Sequence, residues 1–126
     1  MIYNKTIIEH FTNPRNTGII EDANGTGTVG DPDCGDFVKV YLLIKMNRLK
    51  NVSFEICGCP ASIAAVSMLT EMVMGKTLDE AIAITESDVD KKLGGLPESK
   101  KHCSNLGVGA LRKAVVNYLQ QNRTNK

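Results

Sequence analysis

The chain has 126 residues, 42% of them hydrophobic, and a net charge of +1 from fifteen Lys+Arg against fourteen Asp+Glu. That length predicts a single domain over residues 1–126, with enough apolar mass for a core that needs no disulfide stapling. The balanced charge, free of any basic block, excludes a broad nucleic-acid footprint and an electrostatic membrane-surface footprint.

In chain order, Asn4 to Phe11 reads as a short helix with Ile7, Ile8 and Phe11 on one side, stopped at Asn13-Pro14. A loop is expected from Asn16 to Gly27. Gly25, Gly27 and Gly30 read as a flexible segment, and no Gly-Lys-Ser/Thr follows to make them a phosphate loop. Thr28-Val29 opens a short first strand before the turn at Asp31-Pro32-Asp33. Phe37 to Lys45 is a strand with Val38, Val40, Leu42 and Ile44 at period two. Leu49 to Ile56 is another, with Val52, Phe54 and Ile56 facing opposite to Asn51, Ser53 and Glu55. The Met46-Asn47-Arg48 link makes the pair an antiparallel hairpin with one face buried.

Pro60 to Met74 is a helix apolar nearly all round, expected at the centre of the fold and closed by Gly75. Thr77 caps a short helix through Ala83, with Glu80 completing a capping box. Ser87 to Leu93 is a further short helix ended by Gly94-Gly95. The last helix runs from about Ser104 to Gln121, with Val108, Leu111, Val115 and Tyr118 inward, and 122–126 read as a frayed polar tail. Strands first and helices after predict an α+β fold.

The first ten residues, MIYNKTIIEH, offer no apolar run for a secretory signal, and the uncharged stretch from Ile56 to Thr70 is shorter than the roughly 18 residues of a membrane helix. The chain is therefore expected to be cytoplasmic, with no membrane and no nucleic-acid partner. Its four cysteines then sit where thiols stay reduced, so metal binding or catalysis is the better reading than disulfides. Cys34 lies in a turn leading into a strand. Cys59 precedes Pro60 and Cys103 precedes Ser104, both at helix starts, where the positive dipole end favours thiolate. Structural cysteines tend to lie on an apolar stripe; these three are not expected there. Three thiolates from separate loops, with Asp36 and His102 as the nearest fourth ligands, suit zinc or an iron–sulfur cluster in a tetrahedral site. An oxygen or imidazole in the fourth position holds a cluster less securely than a fourth thiolate, which serves a carrier. Cys57-Gly58-Cys59 is not a Cys-x-x-Cys pair, and Cys57 is expected to be a spectator.

Several ordered segments carry a resemblance: Asn13-Pro14-Arg15-Asn16, Gly30-Asp31-Pro32-Asp33-Cys34-Gly35-Asp36, Gly58-Cys59 with Ala61-Ser62-Ile63-Ala64, Gly75-Lys76-Thr77-Leu78-Asp79-Glu80-Ala81, and His102-Cys103-Ser104. Across nearly the whole chain they resemble the iron–sulfur scaffold family of IscU and the NifU N-terminal domain. The resemblance implies an α+β, IscU-like fold: a small antiparallel three-stranded sheet packed against several helices, with the cysteines at one exposed end. It implies assembly of a transient [2Fe–2S] cluster from iron and desulfurase-derived persulfide sulfur, then transfer to acceptor apoproteins. By position it implies Cys34, Cys59 and Cys103 as ligands, Asp36 and His102 as alternatives for the fourth, and Cys103 as persulfide acceptor, with zinc able to enter the same site. Implied partners are a cysteine desulfurase of IscS/NifS type, a ferredoxin-type electron donor and acceptor apoproteins. Further candidates are a frataxin-type protein, Hsp70/J-type chaperones and a second copy of the chain forming a homodimer around the cluster. The alternative is a zinc-dependent SufU-type sulfurtransferase, against which His102 and the lack of an insertion before Leu96-Pro97 argue. A third reading is a purely structural zinc module, and the size of the expected core argues against that.

The chain departs from the family pattern at Cys57, usually not cysteine, and at Pro60, usually a small residue. Leu96-Pro97-Glu98-Ser99-Lys100 matches only in part the Leu-Pro-Pro-Val-Lys segment that an Hsp70-type chaperone recognises in some members. The methionines at 68, 72 and 74 read as core packing or a partner surface, and Lys100-Lys101 as a solvated pair.

Overall fold

The strand pair at the middle of the chain sets the fold. In the computed structural model, which describes residues 3–31, 33 and 35–124, β2 (Phe37–Lys45) and β3 (Arg48–Cys57) form an antiparallel hairpin. Its turn residues Met46 and Asn47 both take left-handed φ, 53° and 63°, the twist that matches right-handed strands. Val38, Val40, Leu42 and Ile44 are buried as their period demands, and Val52 and Phe54 join them from β3. Ser53, read as outward, is buried too, because residues 16–18 run beside the strand and the Ser53 hydroxyl donates to the Gly18 carbonyl at 2.8 Å.

The loop expected from Asn16 to Gly27 is shorter than the sequence reading has it. Gly25–Gly30 forms β1, paired antiparallel with β2 from Gly25↔Leu42 to Gly30↔Phe37, which gives the order β1-β2-β3. Gly25 and Gly27 are thus not a flexible segment. A Cβ on Gly27 would fall against the Ala110 carbonyl oxygen and 2.5 Å from the Ala114 nitrogen; one on Gly25 would lie 2.7 Å from the Ala114 carbonyl oxygen. These glycines let the C-terminal helix α5 (Ser104–Thr124) lie directly on the strand backbone. Helix α5 runs through much of the expected tail, and residues 125–126 lie outside the described residues.

Helix α2 (Pro60–Val73) is the buried central helix, packed against β3 and α5 and ended at Gly75, whose φ is 80°. Helix α1 (Lys5–Thr12) lies on α2 and is capped by Asn4, whose carboxamide oxygen accepts the Ile7 N–H at 2.9 Å. Its inward face differs from the expected one: Ile7 and His10 are buried, while Ile8 and Phe11 are exposed. His10 can turn inward because α2 presents partners to both ring nitrogens, Ser67 Oγ at 2.7 Å from Nδ1 and Glu71 at 3.2 Å from Nε2. Burial lowers the His10 pKa, outweighing the opposing effect of Glu71, so the neutral ring is favoured.

Helices α3 (Leu78–Ile82) and α4 (Glu86–Lys92) both open on reciprocal capping boxes, Thr77 with Glu80 and Thr85 with Asp88. The Leu96-Pro97 segment then leads into a 3-10 helix, Glu98–Cys103, which sequence periodicity does not reveal. Among the described residues no helix is long and apolar enough to cross a membrane.

Candidate functional site

Two chain reversals meet at one end of α2. Cys59 is the N-cap of that helix, in extended backbone geometry, and Pro60 follows at the first helical position with its fixed φ and no amide hydrogen to satisfy. Cys103 is the last residue of the 3-10 helix, where it gives way to α5. Packing of α5 against α2 brings the two sulfurs, 44 residues apart in sequence, to 3.6 Å. His102 Nε2 stands 3.7 Å from the Cys103 sulfur. With metal–sulfur bonds of about 2.3 Å, the edge of a tetrahedron is about 3.8 Å, so the thiol pair has the spacing of two ligands on one metal.

An open cleft of about 470 Å³ spans this point, lined by Asp36, Cys59, Ser62, Lys100, His102 and Cys103 among others. Of the expected site residues the structure therefore gathers Cys59, Cys103, His102 and Asp36, the last from the loop before β2 with its side chain exposed. Cys34 lies outside the described residues. Among the described residues no three His, Cys, Asp or Glu side chains converge as an ion-holding set. Cys57 ends β3 opposite Phe37, exposed and not on the wall of this cleft.

The two thiols differ. Burial pushes the Cys59 thiol up, but the Ser62 hydroxyl at 3.4 Å, the backbone N–H groups of Ser62 and Ala61, and the Cys103 thiol outweigh it, leaving the pKa lowered. At Cys103 burial prevails. The Ser62 hydroxyl and Lys100 act to lower that pKa, but burial and the neighbouring Cys59 leave it raised. The helix-start expectation of a favoured thiolate therefore holds at Cys59 and fails at Cys103, which is buried at the inner wall of the cleft. Cys103 is 3% exposed and is contiguous with the apolar cluster, contrary to the expectation that it stands off such a surface.

Ser62 is the residue that sequence reasoning passed over. It is buried and sits against the thiols. Its signal was its place three residues after Cys59, the N3 position, which faces the N-cap residue in a capping box. The expected Lys100-Lys101 pair is split. Lys101 bonds Asp90 at 3.0 Å, while Lys100 turns to the thiol cleft.

A family model described as the NifU-like N-terminal domain matches residues 2–125. The chain is 51% identical over 121 residues to "Iron-sulfur cluster assembly scaffold protein IscU 1" of Archaeoglobus fulgidus, covering 96% of this chain and 79% of that protein. It is 46% identical over 123 residues to "Iron-sulfur cluster assembly scaffold protein IscU" of Aquifex aeolicus, covering 94% and 77%. Against "Nitrogen fixation protein NifU" of Trichormus azollae it is 42% identical but spans only 41% of that longer protein. In fold it is similar to the crystal structure of a nitrogen-fixing NifU-like protein (N-terminal) from Brucella abortus, TM-score 0.75 at 22% identity, covering 95% of this chain and 96% of that one. A putative iron–sulfur scaffold for the SUF system from Fervidobacterium islandicum gives 0.71 at 24%, covering 90% and 96%. The α+β arrangement of a three-stranded antiparallel sheet under helices is the fold of these structures, and the chain belongs to the NifU-like N-terminal domain family.

Proposed function

We propose that this protein is a scaffold on which an iron–sulfur cluster is assembled and from which it is handed to acceptor apoproteins. The observation that carries the reading is the convergence of Cys59 and Cys103 to 3.6 Å at an open cleft shared with Asp36 and His102. The relatives that bear scaffold names support it. Cys34, Cys59 and Cys103 supply thiolates to the cargo, a [2Fe–2S] cluster, and Asp36 or His102 supplies the fourth ligand. Both of those are exposed, so the fourth ligand can be exchanged for one from an acceptor, which suits a cargo meant to leave.

Sulfur arrives as a persulfide on a cysteine desulfurase. The Cys103 sulfur attacks the outer sulfur, its proton passing to the departing donor thiolate, and a new S–S bond forms as the donor's breaks. The sulfur is still at the zero oxidation level. Two electrons per atom from a ferredoxin-type donor convert it to sulfide for the cluster. Because Cys103 is buried, the 3-10 helix carrying it has to yield for the attack.

Anaerobic reconstitution with iron and a cysteine desulfurase should give a cluster chromophore that depends on Cys34, Cys59 and Cys103. The same spectrum from the triple Cys→Ser variant would end the reading. A zinc-dependent sulfurtransferase of SufU type would use the same thiols, since their spacing suits zinc equally. Metal analysis of anaerobically purified protein, with a cluster-transfer assay, separates the two: stoichiometric zinc without transfer favours the sulfurtransferase.

A further inference from the structure

A second concavity lies away from the thiols, toward the opposite end of α2. One cleft of about 620 Å³ is lined by Met68, Met72, Met74 and Ile84, and a second of about 390 Å³ shares Met72 and Ile84 with it, so the two form one groove beside α4. Its floor is rich in methionine, whose unbranched, polarizable side chains re-pack around different apolar partners. Three lysines, Lys76, Lys91 and Lys92, stand over it against two carboxylates, Glu71 and Asp88.

Both carboxylates are engaged. Glu71 lies 3.2 Å from Nε2 of the neutral His10 ring and Asp88 accepts the Thr85 N–H at 2.9 Å, so both are held in place but keep their charge, and the three lysines leave the groove one net positive charge. The three lysines are exposed and make no ion pair among the described residues. The backbone N–H groups of Met74, Lys76 and Ile84 are already bonded within the fold. A partner is thus offered side chains, not main chain, and the groove runs beside two helices.

We infer that this groove is a docking site for an acidic amphipathic helix of a partner protein, its apolar face on the methionines and its carboxylates on Lys76, Lys91 and Lys92. Along α2 the groove begins at Met68, about 14 Å from Cys59, and reaches Met72 at about 20 Å, so the partner can remain bound while the thiol end is occupied. This surface is independent of the scaffold reading, and its test does not involve cargo.

The test uses the full chain with methionine methyls labelled for NMR and two synthetic helices sharing one leucine face, the other face Glu in one and Lys in the other. The Glu helix should shift the methyl signals of Met68, Met72 and Met74. Lys91→Glu with Lys92→Glu, both on the surface and checked for an unchanged backbone amide spectrum, should weaken it about tenfold. An equal response to the Lys helix, unmoved methyls, or shifts produced by raising the protein concentration alone (a second copy as occupant) would each overturn the inference.

Discussion

Two glycines on either side of one interface should respond to alanine with opposite signs. Gly27 lies in β1 with its missing Cβ pointed at the backbone of α5, 2.5 Å from the Ala114 nitrogen and closer to the Ala110 carbonyl oxygen. Carbon needs about 3.5 Å from such atoms, so Gly27→Ala must lift the helix by about 1 Å. The atoms it meets belong to a hydrogen-bonded backbone and cannot rotate aside. Overpacking typically costs about 1–3 kcal/mol, and rigid neighbours put this case near the upper end, about 3 kcal/mol. At roughly 4 °C per kcal/mol for a chain of this size the midpoint should fall by about 12 °C. Gly109 lies inside α5, and its Cβ would meet only the Val29 methyl at 3.4 Å. Gly109→Ala should therefore stabilise by up to about 1 kcal/mol through helix propensity alone. Thermal melting with urea unfolding at one pH decides the matter. A Gly27→Ala protein within about 0.5 kcal/mol of the parent would refute direct helix-on-strand packing, because that is the range of an unconstrained surface change.

Three other outcomes are expected. Ser62→Ala removes a hydroxyl that lowers the Cys59 pKa, so alkylation of Cys59 near neutral pH, followed by peptide mass spectrometry, should slow; an unchanged pH–rate curve would count against the contact. His10 has a folded-state pKa below its unfolded value of about 6.5, so the unfolded chain takes up the proton first. Its contribution is intact above that pH and declines as pH falls through it, and His10→Gln should flatten melting temperatures between pH 7 and 5.5; equal slopes in the two proteins would contradict the buried neutral ring. Asp36→Ala, at an exposed loop position, should leave the melting temperature within error while changing cluster retention or transfer; unaltered transfer kinetics would remove Asp36 from the site.

Where a segment's structure depends on neighbours in sequence, it could be read directly. The strand bounds of β2 and the capping box at Thr77 need nothing beyond a few adjacent residues. Features that depend on a distant partner could not. The glycines of β1 look like a loop until Ala110 and Ala114 are laid on them. His10 looks outward until Ser67 and Glu71 arrive from α2. At the site, residue identity marked Cys59, Cys103, Asp36 and His102, which do share a cleft. The contrast between the two thiols was hidden, since it comes from how deeply α5 seats Cys103 and from a hydroxyl three residues beyond Cys59.

The outer edge of β3 is closed near both ends by other parts of the chain. Phe54 exchanges hydrogen bonds with Asn16 and Gly18, and Leu49 does so with Gly75 and Lys76. An open edge of this apolar strand would be a template for the same strand in another molecule. With those positions taken, the outer edge is broken into two short runs, the residues between them and Glu55–Cys57, each too short for a foreign strand to register against. The consequence is protective: an apolar strand at the sheet's edge is interrupted along its length, and encounters between copies are steered away from fibre-like stacking.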